Sequence, residues 1–235
     1  MKIKGFIDTS LVDWDGKVSS VIFLPGCNLR CPFCHNSSLV LHAETMQTIP
    51  FSEIKEYLRR NMSWIEGVVI TGGEPTIHSD LPDLCREIKE LEMLVKVDTN
   101  GTNPTVVSEL IDEKLVDFIA MDIKAPLIEG KYSKACGVDA KNILGNIQET
   151  IDLLLRSNVE YEFRTTLVPS LHNKEDVELV CNKIRDCQKY FIQKYRAGVK
   201  TIDPKFENLK PFSEGNMKSF LMVAKKIVPN TALRG

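Results

Sequence analysis

The chain has 235 residues, 43% of them hydrophobic, and its 30 basic and 32 acidic side chains leave a formal net charge of −2. That composition supports one sizeable core and a single domain over residues 1–235, and the even charge without a Lys/Arg run excludes a phosphate-tracking surface, so no nucleic acid is expected as partner. Its first residues turn charged before an apolar stretch of signal length forms and nothing later is long enough to span a bilayer, so a cytoplasmic location with no membrane partner is expected.

Apolar and β-branched runs recur along the chain, each followed by a segment of helical period. Val18 to Leu24 reads as the first strand, and Ser52 to Asn61 as a helix with Ser52 as candidate N-cap. A second strand at Val68 to Ile70 precedes a helix over Asp80 to Leu91. Leu94 to Val97, Phe118 to Met121 and Glu162 to Val168 read as strands three to five, separated by helices near Thr105 to Asp112 and Lys141 to Ser157. Tyr190 to Gln193 is a shorter sixth strand, with helices over Asn173 to Cys187 and Ser213 to Ile227. The reading is an α/β fold of about six β-α units whose parallel sheet curls into an open, partial barrel, since a full eight-unit barrel needs roughly 250 residues.

Unusual residues gather where these strands end. Cys27, Gly72-Gly73-Glu74-Pro75, Asp98-Thr99-Asn100, Asp122 with Lys124, and Arg164 all fall at or just beyond C-terminal strand ends, the edge that carries active sites in barrel-like α/β folds.

Cys27, Cys31 and Cys34 can bring three soft thiolates onto one iron–sulfur or zinc centre, and three ligands leave a position open for chemistry. One alternative is a structural Cys3His zinc site using His35. Closed zinc sites usually draw on two separated knuckles, however, and adjacent Cys34 and His35 fit poorly on one tetrahedron. A thiol–disulfide pair at Cys31 and Cys34 is a second alternative, and it leaves Cys27 without a role. Seven cysteines, an odd number, suit free or metal-bound thiols in a reducing compartment. Cys85, Cys136, Cys181 and Cys187 have no ligand-like spacing and read as core or free thiols, Cys181 and Cys187 on different faces of one helix. His42, His78 and His172 read as loop or cap residues.

The paired glycines Gly72 and Gly73 either let a ligand lie against the backbone or form an ordinary turn capped by Pro75. Glu74 could accept from an ammonium group, although a solvated loop carboxylate is the commoner fate. Asp98, Thr99, Asn100, Asp122 and Lys124 offer oxygens for a hard cation and an ammonium for a ligand carboxylate, or else a salt bridge and a helix cap. Arg164 lies in an apolar strand, where a charge needs a partner; the options are a ligand or an ion pair to Asp122 or Glu74.

CxxxCxxC with Phe33 before the last cysteine, followed by GGEP, resembles the radical S-adenosylmethionine (SAM) superfamily. Leu11 to Lys17 leading into Val21 to Cys27 is similar to activating enzymes of glycyl-radical proteins. Arg164 to Pro169 and Ile192 to Arg196 resemble the activators of anaerobic ribonucleoside-triphosphate reductase, with pyruvate formate-lyase activators as close relatives. The resemblance implies one [4Fe-4S] cluster on Cys27, Cys31 and Cys34, with the fourth iron left for SAM. It implies Phe33 near the adenine, Gly72, Gly73 and Glu74 at the methionine amino end, and Lys124 and Arg164 around the carboxylate and ribose. Asp98, Thr99 and Asp122, with Asn100 beside them, match a monovalent-cation site. It also implies a glycyl-radical enzyme as substrate protein, the anaerobic ribonucleotide reductase first, and a flavodoxin or ferredoxin as electron donor. One departure is Pro211-Phe212-Ser213-Glu214, where pyruvate formate-lyase activators carry histidine at the position of Ser213.

Overall fold

The computed structural model describes all residues, 1–235. Strands β1 (Gly5–Ser10), β2 (Ser19–Leu24), β3 (Gly67–Gly72), β4 (Leu94–Thr99), β5 (Phe118–Asp122), β6 (Glu160–Leu167), β7 (Tyr190–Lys194) and β8 (Thr231–Arg234) follow one another in the sheet in chain order. The helices are α1 (Ser37–Leu41), α2 (Phe51–Asn61), α3 (Leu81–Lys89), α4 (Pro104–Asp112), α5 (Glu129–Cys136), α6 (Leu144–Arg156), α7 (Lys174–Lys183) and α8 (Glu214–Lys225). β1 pairs antiparallel with β2, while β2 with β3, β3 with β4, β6 with β7 and β7 with β8 are parallel. No helix is long and apolar enough to cross a membrane.

All six expected strands are present, because a strand in a parallel sheet is covered on both faces and reads as a continuous apolar run. Val68, Val69 and Ile70 of β3 are fully buried, as are Val21 and Ile22 of β2. β1 and β8 escaped the sequence reading: β1 buries no residue before Ser10 and β8 has only four residues. Helices α1 and α5 were also not anticipated. Ser52 is not the cap of α2; Pro50 occupies that position with no side-chain hydrogen bond, and Ser52 lies in the first turn. The helix expected to reach Cys187 ends at Lys183, where the chain turns and the Cys187 N–H donates to the Ile184 carbonyl at 3.0 Å. Cys181 and Cys187 therefore do not share a helix.

Two compact units divide the chain, the first comprising residues 1–28, 38–99 and 105–120 and the second 29–37, 100–104 and 121–235. In the first, Trp14, Val21, Val69, Phe118 and Ala120 form a core cluster. Lys96 of β4 is 2% exposed within this unit; its Nζ lies 5.5 Å from the Phe118 ring centroid and donates to the Asp13 carbonyl. In the second unit, fully buried Tyr132, Phe163 and Tyr190 anchor the packing, and α7 opens with a capping box between Asn173 and Asp176.

Candidate active site

Within the first unit, the loop after β2 that carries Cys27 is held against the glycine turn after β3. Gly73 N–H donates to the Leu24 carbonyl and Glu74 N–H to the Gly26 carbonyl, both at 2.8 Å. A Cβ on Gly73 would stand 1.6 Å from the Gly26 oxygen, and one on Gly72, whose φ is +120°, would stand 2.4 Å from the Leu24 oxygen. The neighbour that these glycines admit is thus the protein's own Cys27 loop. His78, read from sequence as a loop residue, donates from Nε2 to the Pro25 carbonyl at 2.8 Å and fastens the same loop.

Glu74 is not the solvated carboxylate that a loop position suggests. It is 1% exposed, and its Oε1 accepts from the Thr76 N–H at 3.1 Å, the Thr76 hydroxyl at 2.6 Å and the Thr99 hydroxyl at 2.7 Å. β4 thereby brings Thr99 to Glu74. Asp98, on the other face of β4, has an oxygen 3.6 Å from Lys96 Nζ.

In the second unit, Cys31 and Phe33 are buried and Cys34 is half-buried. Their loop is fixed from several directions. Arg30 N–H donates to the Cys136 carbonyl at 2.8 Å, Asp203 N–H donates to the Pro32 carbonyl at 2.9 Å, and Cys34 N–H closes a turn onto the Cys31 carbonyl at 3.0 Å. His35 donates from Nε2 to the Arg196 carbonyl at 3.1 Å and packs its ring 5.6 Å from that of Tyr195. Gly137 closes α5 with φ +71°, and a Cβ there would stand 1.9 Å from the Arg30 oxygen. Asn100 accepts from the Thr102 N–H at 3.0 Å and hydroxyl at 2.6 Å, which makes it the hinge of a local turn.

The same unit joins three of the expected residues. Asp122 accepts from Lys124 Nζ at 2.9 Å and from Arg164 Nε at 2.8 Å. Burial pushes the Asp122 carboxyl up, but the charges of Arg164 and Lys124 outweigh it and hold the group well below the usual carboxylate range. Burial likewise opposes the Lys124 charge and is outweighed by Asp122 and by Cys31, so the ammonium stays protonated. Burial raises the Cys34 thiol, while the Asn36 backbone and Lys124 pull it down. The remote thiols of Cys85, Cys181 and Cys187 are pushed up to about 12 by burial and are inert.

A sequence profile of the Radical SAM superfamily matches residues 21–184. The chain belongs to the radical SAM superfamily. It is 36% identical over 235 residues to a protein of Methanocaldococcus jannaschii that is named, provisionally, a glycyl-radical enzyme activating enzyme, with 99% of this chain and 95% of the relative covered. It is 27% identical over 194 residues to the pyruvate formate-lyase-activating enzyme of Clostridium pasteurianum, covering 79% and 76% of the two chains. These relatives set it among the glycyl-radical-enzyme activating enzymes of the superfamily. The structure of Streptococcus suis SuiB bound to S-adenosylmethionine superposes with a TM-score of 0.69 at 16% identity, over 92% of this chain and 52% of SuiB, a likeness of fold. The chain thus spans about half the length of SuiB.

The donor set suits the group the superfamily carries. No cysteine is in a disulfide, and three stand in one loop whose backbone is pinned at both ends. Burial holds the Cys34 thiol above its ordinary range, and the charge of Lys124 offsets part of that rise. No three His, Cys, Asp and Glu side chains form a ready-made site for a single metal ion. Residues that the sequence reading passed over are Thr76, Lys96, Glu162 and Arg234, and His172 was read only as a loop or cap residue. Lys96 carried a signal, a lysine inside an apolar strand of the kind that singled out Arg164.

Proposed function

We propose that residues 1–235 act as one radical SAM domain, an activase that generates a glycyl radical on a partner protein, with an anaerobic ribonucleoside-triphosphate reductase as that partner. The observation that carries this reading is the loop from Cys27 to Cys34, with three cysteines outside any disulfide and a backbone braced by the glycine turn and by α5. Cys27, Cys31 and Cys34 would hold three irons of one [4Fe-4S] cluster. Gly72, Gly73 and Glu74 would meet the amino end of SAM, Phe33 its adenine, and Lys124 and Arg164 its carboxylate and ribose. Asn100 would support this edge through its turn with Thr102.

When bound, the cluster and SAM supply one-electron cleavage of the sulfonium carbon–sulfur bond and a carbon radical able to take a hydrogen atom from a glycine. This chain's part is positional. Asp122 keeps two cations fixed beside the cysteine loop, and burial of Phe33 and Cys31 excludes water there. The electron would come from a flavodoxin or ferredoxin. Thr99 is engaged by Glu74 and Asp122 by two cations, so a monovalent cation at Asp98, Thr99 and Asp122 would have to compete with these partners.

Two features favour the reductase over a pyruvate formate-lyase partner. The segments Arg164 to Pro169 and Ile192 to Arg196 resemble reductase activators. Ser213, where the other activators carry histidine, caps α8 by accepting from the Asn216 N–H at 3.2 Å and is a structural residue.

The test is anaerobic reconstitution with iron and sulfide, reduction with dithionite, addition of SAM and assay of 5′-deoxyadenosine in wild type and Cys31→Ala. Cysteine-dependent product is expected, followed by a glycine-centred EPR doublet when the reductase is added. A loaded [4Fe-4S] protein that makes no 5′-deoxyadenosine, even with the reductase present, would refute the assignment. Product formation that radicalises no glycyl-radical enzyme would refute the activase role.

A further inference from the structure

A row of alternating charge runs through the second unit beyond the three residues already placed in the site. Lys124 and Arg164 flank Asp122 at 2.9 and 2.8 Å. On β6, Glu162 stands two residues before Arg164 and so projects from the same face of the strand. Its Oε1 lies 4.0 Å from Arg164 Nη1, and the side chains are 4% and 11% exposed. Glu162 in turn accepts from Arg234 of β8 at 2.7 and 3.1 Å. Arg234 crosses β7 to make that bond, with its guanidinium 3.7 Å from the centroid of Phe191, the residue that faces Arg164 in the β6 to β7 register.

A carboxylate this buried requires a cation. Glu162 has two within reach, Arg234 through two hydrogen bonds and Arg164 at the outer limit of an ion pair. Asp122 also engages Arg164, so the guanidinium of Arg164 stands between two competing carboxylates. Resting on the reading of Arg164 as a SAM contact, we infer that Glu162 and Arg234 are a positioning pair for Arg164. Arg234 satisfies Glu162 and so leaves Arg164 on Asp122. Without Arg234, Glu162 closes on Arg164 and draws it off its aim.

The alternative is that Arg234 merely fastens β8 to the sheet, and a double variant separates the two. SAM affinity is measured by anaerobic calorimetry on the reconstituted, unreduced protein, with a urea midpoint for every variant. Arg234→Ala should weaken SAM binding about tenfold, and the added Glu162→Gln should restore it to within about twofold, since no buried anion is left to capture Arg164. Arg234→Lys should fall between, because an ammonium keeps the charge without the fork and the stacking plane. Unchanged affinity in Arg234→Ala, or a double variant as weak as the single, would overturn the inference and leave a strand anchor. If the loaded wild type binds no SAM, the reading of Arg164 fails first and this one with it.

Discussion

His172 stands between two backbone groups, accepting from the Val168 N–H on Nδ1 at 3.0 Å and donating from Nε2 to the Lys124 carbonyl at 2.8 Å. The two partners fix a neutral ring with its proton on Nε2. An imidazolium could not accept from the Val168 N–H; it would keep the Nε2 bond to Lys124 and turn Nδ1 to the Val168 carbonyl at 3.3 Å, so only the Val168 N–H half of the clasp requires an uncharged ring.

Burial holds the His172 pKa below its ordinary value of 6.5, against the upward pull of the Lys124 and Val168 carbonyls and Asp176, with Lys131 adding to the depression. The unfolded chain therefore takes up this proton first as pH falls. The contribution is complete above the unfolded value and is lost as pH drops through it toward the folded one. The wild-type urea midpoint should fall between about pH 7.5 and about pH 5.5, and His172→Gln should start lower and fall less steeply. Parallel curves for the two proteins would contradict the clasp.

Gly73 and Gly145 should respond to alanine with opposite signs. At Gly73 the new methyl would meet the Gly26 oxygen at 1.6 Å, a backbone atom that cannot turn aside. We expect a loss of about 3 kcal/mol or more in urea unfolding, together with reduced iron content after reconstitution, because the displaced loop carries Cys27. At Gly145 in α6 nothing lies within 4 Å of the added Cβ. Gly145→Ala should gain about 0.5 kcal/mol from the lower entropy of the unfolded chain.

Lys96→Met tests the buried ammonium of β4. The substitution keeps the aliphatic stem but leaves the Asp13 carbonyl without this donor and Asp98 without its neighbouring cation. A cost of about 2 kcal/mol is expected from denaturant titration, and a neutral or stabilising result would show that Met fills the site better than the ion does.

Thr99→Val removes one of three hydrogen bonds to a single buried oxygen of Glu74. The expected cost is about 1.5 kcal/mol, the range for a bond to a charged acceptor, read as a shift in urea midpoint. Thr99→Ser should recover most of it.

The strands and the cysteine loop were legible because their signals are local. β3 shows its burial in three consecutive apolar residues, and the spacing of Cys27, Cys31 and Cys34 lies within one loop. What escaped depends on strand register. Arg234 lies 72 residues from Glu162 in sequence, and only the pairing of β6, β7 and β8 brings them together. His172 gave no signal, since its partners are backbone groups that any residue would supply. Glu74 was read as more exposed than it is, because the two threonines that bury it sit on different segments. Arg164 was the intermediate case: its strand position required a partner, and Asp122, one of the two candidates, supplies it.

The bracing of the cysteine loop also fixes when it can mature. Arg30, Pro32 and His35 are made early, but they bind Cys136, Asp203 and Arg196, which leave the ribosome much later. At about 5–20 residues per second, the loop waits on the order of ten seconds or more for its last support. Until then its three thiols stand in a flexible segment, exposed to stray metals and oxidants. On the proposed ligation, cluster insertion would follow synthesis of the second unit, and a nascent chain stalled before residue 203 should acquire no stable iron.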